Sequence, residues 1–218
     1  MIEVKKLCVW CGLAVLVIAC LSFFVPWYKV SYDTYSGFPA DPSTGVPITV
    51  TINYELTQVV LTTTDGVYME ASYSAMADRY SLFEEVRNVM LFETGLVVAV
   101  AIIGAAISVA SVFEKMRLLV PLGILAIVFS VAGLVYLVLA ASGVDAELIG
   151  LSGDEVFHIA EGFWGTSNDA VFGPSVGWFL LIAVVVVSVC MIVFVLRERN
   201  PSQLHEDEWE SIIIEESA

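Results

Sequence analysis

The chain has 218 residues, of which 58% are hydrophobic and only 15% are charged. An average soluble domain carries about 25% charged residues, so this composition excludes an ordinary water-coated globule and points to lipid as the main solvent. The net charge of −15 repels nucleic acid and excludes a nucleic-acid-binding role.

The charge is segregated. Residues 28–88 sum to −5, residues 143–175 to −6 and residues 197–218 to −5. Between them lie long stretches without any charge. The bland role of such acidic segments is a solvated surface.

The first apolar run is Leu7–Val25, preceded by Lys5 and Lys6. At about 1.5 Å per residue it bridges the roughly 30 Å hydrocarbon core of a bilayer. Trp27 and Tyr28 follow it, and their amphipathic rings suit the membrane–water interface. Within this run Val17-Ile18-Ala19-Cys20 fits the short pattern of a lipoprotein cleavage site, which makes Cys20 a lipidation candidate. The apolar run continues through Leu21–Val25, however, where a lipoprotein would turn polar, so an uncleaved span is the stronger expectation. Cys8-x-x-Cys11 has the spacing of a redox or metal pair, but without the second pair of a zinc site it reads as small packing residues.

Residues 28–88 read as β-rich. Tyr28, Val30 and Tyr32 alternate with polar residues, as do Ile48, Val50, Ile52 and Tyr54, the period of a half-buried strand. Gln58–Thr63 and Val67–Tyr73 flank Thr64-Asp65-Gly66, where Asp-Gly predicts a hairpin turn with positive φ at both central residues. A sheet of three or four strands is expected. Met76, Tyr80, Phe83, Val86 and Met90 then recur at helical spacing and predict a helix entering the second span.

The remaining runs, Thr94–Phe113, Leu118–Ser142 and Val176–Leu196, are each long enough to cross a bilayer. Only residues 114–117 separate the second from the third, a tight helical hairpin. Lys5, Lys6, Lys115, Arg117, Arg197 and Arg199 fall at one side of the spans, while Lys29, Arg79 and Arg87 fall at the other. Six against three places both termini in the cytoplasm by the positive-inside rule.

The expected organisation is a cytoplasmic N-terminus and first span (1–27), an extracytoplasmic β-rich segment and helix (28–88), a second span (89–113), a cytoplasmic turn (114–117), a third span (118–142), an acidic extracytoplasmic loop (143–175), a fourth span (176–196) and an acidic cytoplasmic tail (197–218). The expected fold class is a membrane all-α four-helix bundle carrying a small extracytoplasmic antiparallel β-sheet between spans 1 and 2.

Four groups of residues are candidates for chemistry or docking. Glu155, His158 and Glu161 share a broad face if Gly153–Phe163 is a short helix, and carboxylates with an imidazole suit a divalent transition metal. Glu93 lies inside the outer end of the second apolar segment, and an ionisable group at membrane depth is a functional hypothesis. Its bland alternative is an interfacial or paired structural carboxylate. Trp209, Ile212, Ile213 and Ile214 sit in the acidic tail and could dock a cytoplasmic partner, against the alternative of a disordered tail. Cys20 is the fourth. Small residues four apart, Cys8 with Gly12, Ala101 with Ala105, Gly104 with Ser108 and Ala126 with Ser130, suit close helix packing or self-association.

The layout resembles the claudin and peripheral-myelin-protein group: four spans, cytoplasmic termini and a β-rich first external segment with an aromatic directly after span one. The Gly-Leu-Trp-Cys motif of that group is absent, no cysteine lies between Cys20 and Cys190, and the chain ends Glu216-Ser217-Ala218. The resemblance therefore implies architecture and carries over no site residue.

No catalytic signature and no cofactor motif stands out. The sequence predicts a non-enzymatic interaction or structural protein, embedded in membrane lipid, with a protein partner or self-association. The alternatives are a small oligomeric channel or transporter centred on Glu93, and a metal-handling protein using Glu155, His158 and Glu161.

Overall fold

A computed structural model describes residues 2–35, 47–66, 68–78, 82–143, 146–149, 156–159, 164–167 and 170–199. Four of its helices are long and apolar enough to cross a membrane: α1 (Ile2–Leu21), α3 (Leu82–Val112), α4 (Met116–Gly143) and α5 (Val176–Arg199). This supports a multi-pass, four-span membrane protein. A short helix, α2 (Tyr73–Ala77), precedes α3. The helical spacing from Met76 onward is thus realised as two helices rather than one.

The four long helices pack as a square, with α1 against α3 and α5, and α4 against α3 and α5. On α4 the buried positions are Leu119, Gly123, Ala126, Ser130, Gly133 and Leu137, alternating three and four apart. On α5 they are Gly177, Leu181, Val184, Ser188, Met191 and Val195. This is the seven-residue seam of helices crossing at small angles. The opposite faces carry exposed Ile124, Val128, Val131, Val135, Phe179, Ile182 and Val186. Apolar residues on both sides mark helices whose outer solvent is not water.

Two of the small-residue spacings join helices within the chain. A Cβ added at Gly12 would lie 2.4 Å from Ser108 Oγ and 2.8 Å from Gly104 O. One added at Gly104 would lie 2.7 Å from the Leu16 backbone nitrogen. The backbones of α1 and α3 therefore meet at Gly12 and Gly104, and the Ser108 hydroxyl donates to its own helix at Gly104 O, 3.1 Å away.

The α3–α4 turn is closed by Lys115 N donating to Ala110 O at 2.9 Å, with Glu114 in the left-handed region at φ 59°. Helix ends of this kind usually place glycine there. Lys5 Nζ of α1 reaches Glu114 Oε1 at 2.9 Å, and this contact holds the Glu114 carboxyl below its ordinary range.

At the other end of the bundle lies one six-stranded antiparallel sheet, in the order β4-β3-β2-β1-β8-β7. Its strands are β1 (Tyr28–Tyr35), β2 (Pro47–Tyr54), β3 (Gln58–Thr63), β4 (Tyr68–Ser72), β7 (Gly165–Ser167) and β8 (Ala170–Pro174). A separate pair, β5 (Ala146–Ile149) with β6 (Val156–Ile159), forms a two-stranded ladder.

Three expectations need correction. The sheet has six strands rather than three or four, and it is not confined to the segment between the first two long helices. β8 pairs with β1 in the register Val30↔Phe172, so the segment before α5 completes the sheet. The expected helix at Gly153–Phe163 is a strand where it is described, at Val156–Ile159. The β3–β4 turn has its positive φ at Gly66, 92°, while Asp65 is not in the left-handed region. Gly66 N donates to Thr63 O at 3.1 Å, and Thr62 faces Tyr68 across the ladder. This is a three-residue-type connection ending in a left-handed glycine.

The alternation read in β1 and β2 sets the faces of the sheet. Val30, Val50, Ile52, Tyr54, Val59 and Phe172 are buried on the inner side against Tyr73 and Phe83. The outer side carries Lys29, Ser31, Asp33, Thr49 and Thr51, with Ser31 and Thr51 hydroxyls 2.7 Å apart and Thr49 Oγ1 donating to Asp33 Oδ1 at 2.7 Å. At about 1.5 Å per residue α3 is roughly 46 Å long, more than a bilayer core needs. Its first turns carry Phe83, whose ring stacks on Tyr54 at 6.4 Å.

Candidate functional site

The junction of sheet and bundle is built around Trp27. Expected at a membrane surface, Trp27 is instead wholly enclosed, at 0% exposure. Its indole Nε1 donates to Ser22 O at 2.8 Å, closing the short 3-10 turn Ser22–Phe24 that ends the first span. Its backbone N donates to Tyr54 O at 2.7 Å, and its backbone O accepts from Ser175 N at 2.9 Å. Gly177 N, one of the orphan donors at the start of α5, donates to Pro26 O at 2.9 Å. A Cβ on Gly177 would fall 2.5 Å from the indole. So β1 grows out of α1, and β8 runs into α5, through one close-packed knot. The sequence signal was a glycine at the start of the fourth run, legible only with its distant partner in view.

Directly beneath this junction lies Glu93. Its side chain is fully buried, and neither carboxyl oxygen has a hydrogen-bond partner among the described residues. Of the two bland alternatives, a paired carboxylate is not seen among the described residues. Heptad-like spacing turns Glu93 to the same interior as Met90, Val97 and Val100. A Cβ built on Gly133 of α4 would lie 2.8 Å from Glu93 Oε2, 3.0 Å from Leu181 Cδ1 of α5 and 3.5 Å from Leu96 Cδ1. The carboxyl thus occupies space that any larger residue at 133 would take. The neighbouring Thr94 hydroxyl does not serve it, because Thr94 Oγ1 is bonded to Met90 O at 2.7 Å.

Three more buried polar atoms lack partners among the described residues: Arg87 Nε near the start of α3, Ser130 Oγ on α4 and Ser188 Oγ on α5. Ser130 is one turn from Gly133 on the same buried seam, and Ser188 is two turns from Leu181. Other buried serines are satisfied within their own helices, Ser22 by Ile18 O at 2.9 Å and Ser111 by Ile107 O at 2.7 Å. Sequence reading marks Glu93, and Ser130 only as a small packing residue beside Ala126, but it passes over Gly133 and Ser188, because each is unremarkable until the seam is drawn.

The other sequence candidates are not brought together with Glu93. Cys20 lies on α1 near its end and is an exposed free thiol. The backbone of His158 is in β6, paired with Glu147, while Glu155 and Glu161 lie outside the described residues. Trp209, Ile212, Ile213 and Ile214 also lie outside them. Among the described residues no group of three or more His, Cys, Asp or Glu is arranged to hold a metal ion.

The sheet offers a second candidate surface. β4 is one of its two edges, and Tyr68, Met69, Glu70 and Ser72 are all exposed. An edge strand presents unpaired backbone N–H and C=O groups that another strand can take up.

No protein-family model and no curated protein matches this chain.

Proposed function

We propose that this chain is a non-enzymatic membrane protein that crosses the bilayer four times, keeps both termini in the cytoplasm and holds its sheet outside as a contact surface for a protein partner. It would serve as a structural or accessory subunit of a membrane complex. The observation that carries this reading is the knot at Trp27, which fuses the sheet to the bundle with no flexible linker while leaving β4 an open edge. A sheet held rigidly over a bundle gives a partner a preorganised surface, which lowers the ordering cost of binding. The orientation is supported by Lys5, Lys115 and Arg117, which share the end away from the sheet with the Lys5–Glu114 contact.

A photocrosslinking residue at Tyr68, in the full chain in native membranes, tests this. The expected result is a discrete adduct at Tyr68, absent when the same residue stands at Ile102 on the outward face of α3. A chain that stays monomeric, with no adduct at Tyr68, would overturn the proposal. The alternative, a small oligomeric channel or transporter, is favoured by the buried Glu93. Flux in reconstituted vesicles that is unchanged in Glu93→Gln would count against it.

A further inference from the structure

We propose that Glu93, seated against Gly133 between α3, α4 and α5, is an intramembrane proton-binding site. The inference goes beyond the partner-docking reading and shares with it only the four-span placement. An ionised carboxylate in an apolar interior costs several kcal/mol without a donor or counter-charge, and among the described residues Glu93 has no hydrogen-bond partner. A positive charge must therefore accompany it, and the surroundings decide which kind. A metal cation needs about six oxygen ligands. The space over Gly133 that holds Oε2 is shared with the Leu181 and Leu96 methyls, and among the described residues no group of three or more His, Cys, Asp or Glu is arranged to hold a metal ion. A proton needs only one carboxyl oxygen.

The titratable groups on the packed elements do not supply the charge. The outer half of α5, Val176–Val187, carries none. The outer half of α4 carries Tyr136, whose ring lies 4.3 Å from Phe92. The outer half of α1 carries Cys20, which is exposed. On α3 the nearest cation is Arg87, which faces Glu84 at 3.6 Å. Trp27 and Leu56 lie above the site and are fully or almost fully buried. Ser130 and Ser188 follow on the buried seam away from the sheet, and neither hydroxyl has a partner among the described residues.

The experiment is modification of the full chain in native membranes by a lipid-soluble carbodiimide, followed by peptide mass mapping. The acid O–H adds across one C=N bond. The oxygen bonds to carbon and the proton goes to nitrogen, and acyl migration then gives a stable N-acylurea with no leaving group. The expected result is that Glu93 carries the dominant adduct among the 24 Asp and Glu side chains. That adduct should be lost in Glu93→Gln and unaffected by excess Na+ or K+. Failure of the folded chain to label at Glu93, while the detergent-unfolded chain labels there, would overturn the proposal. So would protection by Na+ or K+, which would mean a metal-cation site. Recovery of the chain in the soluble fraction would instead sink the four-span placement, and the two failures are distinguishable.

Discussion

Gly177→Ala is the sharpest test of the junction. Helix propensity alone favours the substitution, since alanine is better than glycine in a helix by up to about 1 kcal/mol. The structure reverses the sign. The new Cβ would lie 2.5 Å from Trp27 Cδ1 and Nε1 and 2.8 Å from Cε2, and the indole is boxed in on every side. Overpacking of this kind costs about 1–3 kcal/mol. If the ring moves, its hydrogen bond to Ser22 O goes too, at about 0.5–1.5 kcal/mol. The net expectation is destabilisation by about 1–3 kcal/mol, read as a lower midpoint for unfolding in mixed detergent by near-ultraviolet circular dichroism. Adding Trp27→Phe should relieve the clash, so the double variant should lose less than the two single losses together. A Gly177→Ala chain as stable as wild type, or strict additivity of the pair, would refute the packing argument.

Three further outcomes are expected. Gly95→Ala, where an added Cβ has nothing within 4 Å, should be neutral or stabilise by up to about 1 kcal/mol in the same unfolding assay. Gly104→Ala, whose Cβ meets backbone of α1, should destabilise by about 1–3 kcal/mol and weaken crosslinking between cysteines placed on the two helices. Stability should also fall in alkali. Burial pushes the Tyr28 phenol from 10.0 up to about 12, and burial raises Tyr54 and Tyr73 as well. Above pH 10 the unfolded chain releases these protons while the folded chain keeps them. The contribution is therefore full below pH 10 and is lost as pH rises toward 12. Tyr28→Phe should flatten that decline in a pH series of unfolding midpoints.

What the sequence disclosed follows the range of the interaction involved. Apolar length is a local property, and the runs beginning at Leu7, Thr94, Leu118 and Val176 each start inside one of the four long helices or at its first residue. Alternation is also local, so β1 and β2 were legible, and β3 with its Asp-Gly turn followed. β7 and β8 were not, because they are three and five residues long and their identity depends on β1, far away in sequence. The same holds at the interior site. Glu93 is conspicuous as a charge in an apolar stretch. Its burial, however, is decided by Gly133 and Leu181 on other helices, and whether it faces lipid, water or core is not written in its neighbours. Trp27 was misjudged for the same reason. An aromatic after a span suits an interface, and only the contact with Gly177 turns it inward.

The central claim is that the bundle crosses a bilayer with the sheet on the outer side and the α3–α4 turn on the inner. Its most direct test is labelling of single-cysteine additions by a membrane-impermeant maleimide in intact cells, with the wild-type chain as background. Lys29→Cys, on the outer face of β1, should label without permeabilisation, and Lys115→Cys only after it. Labelling of both positions from the same side would contradict the account.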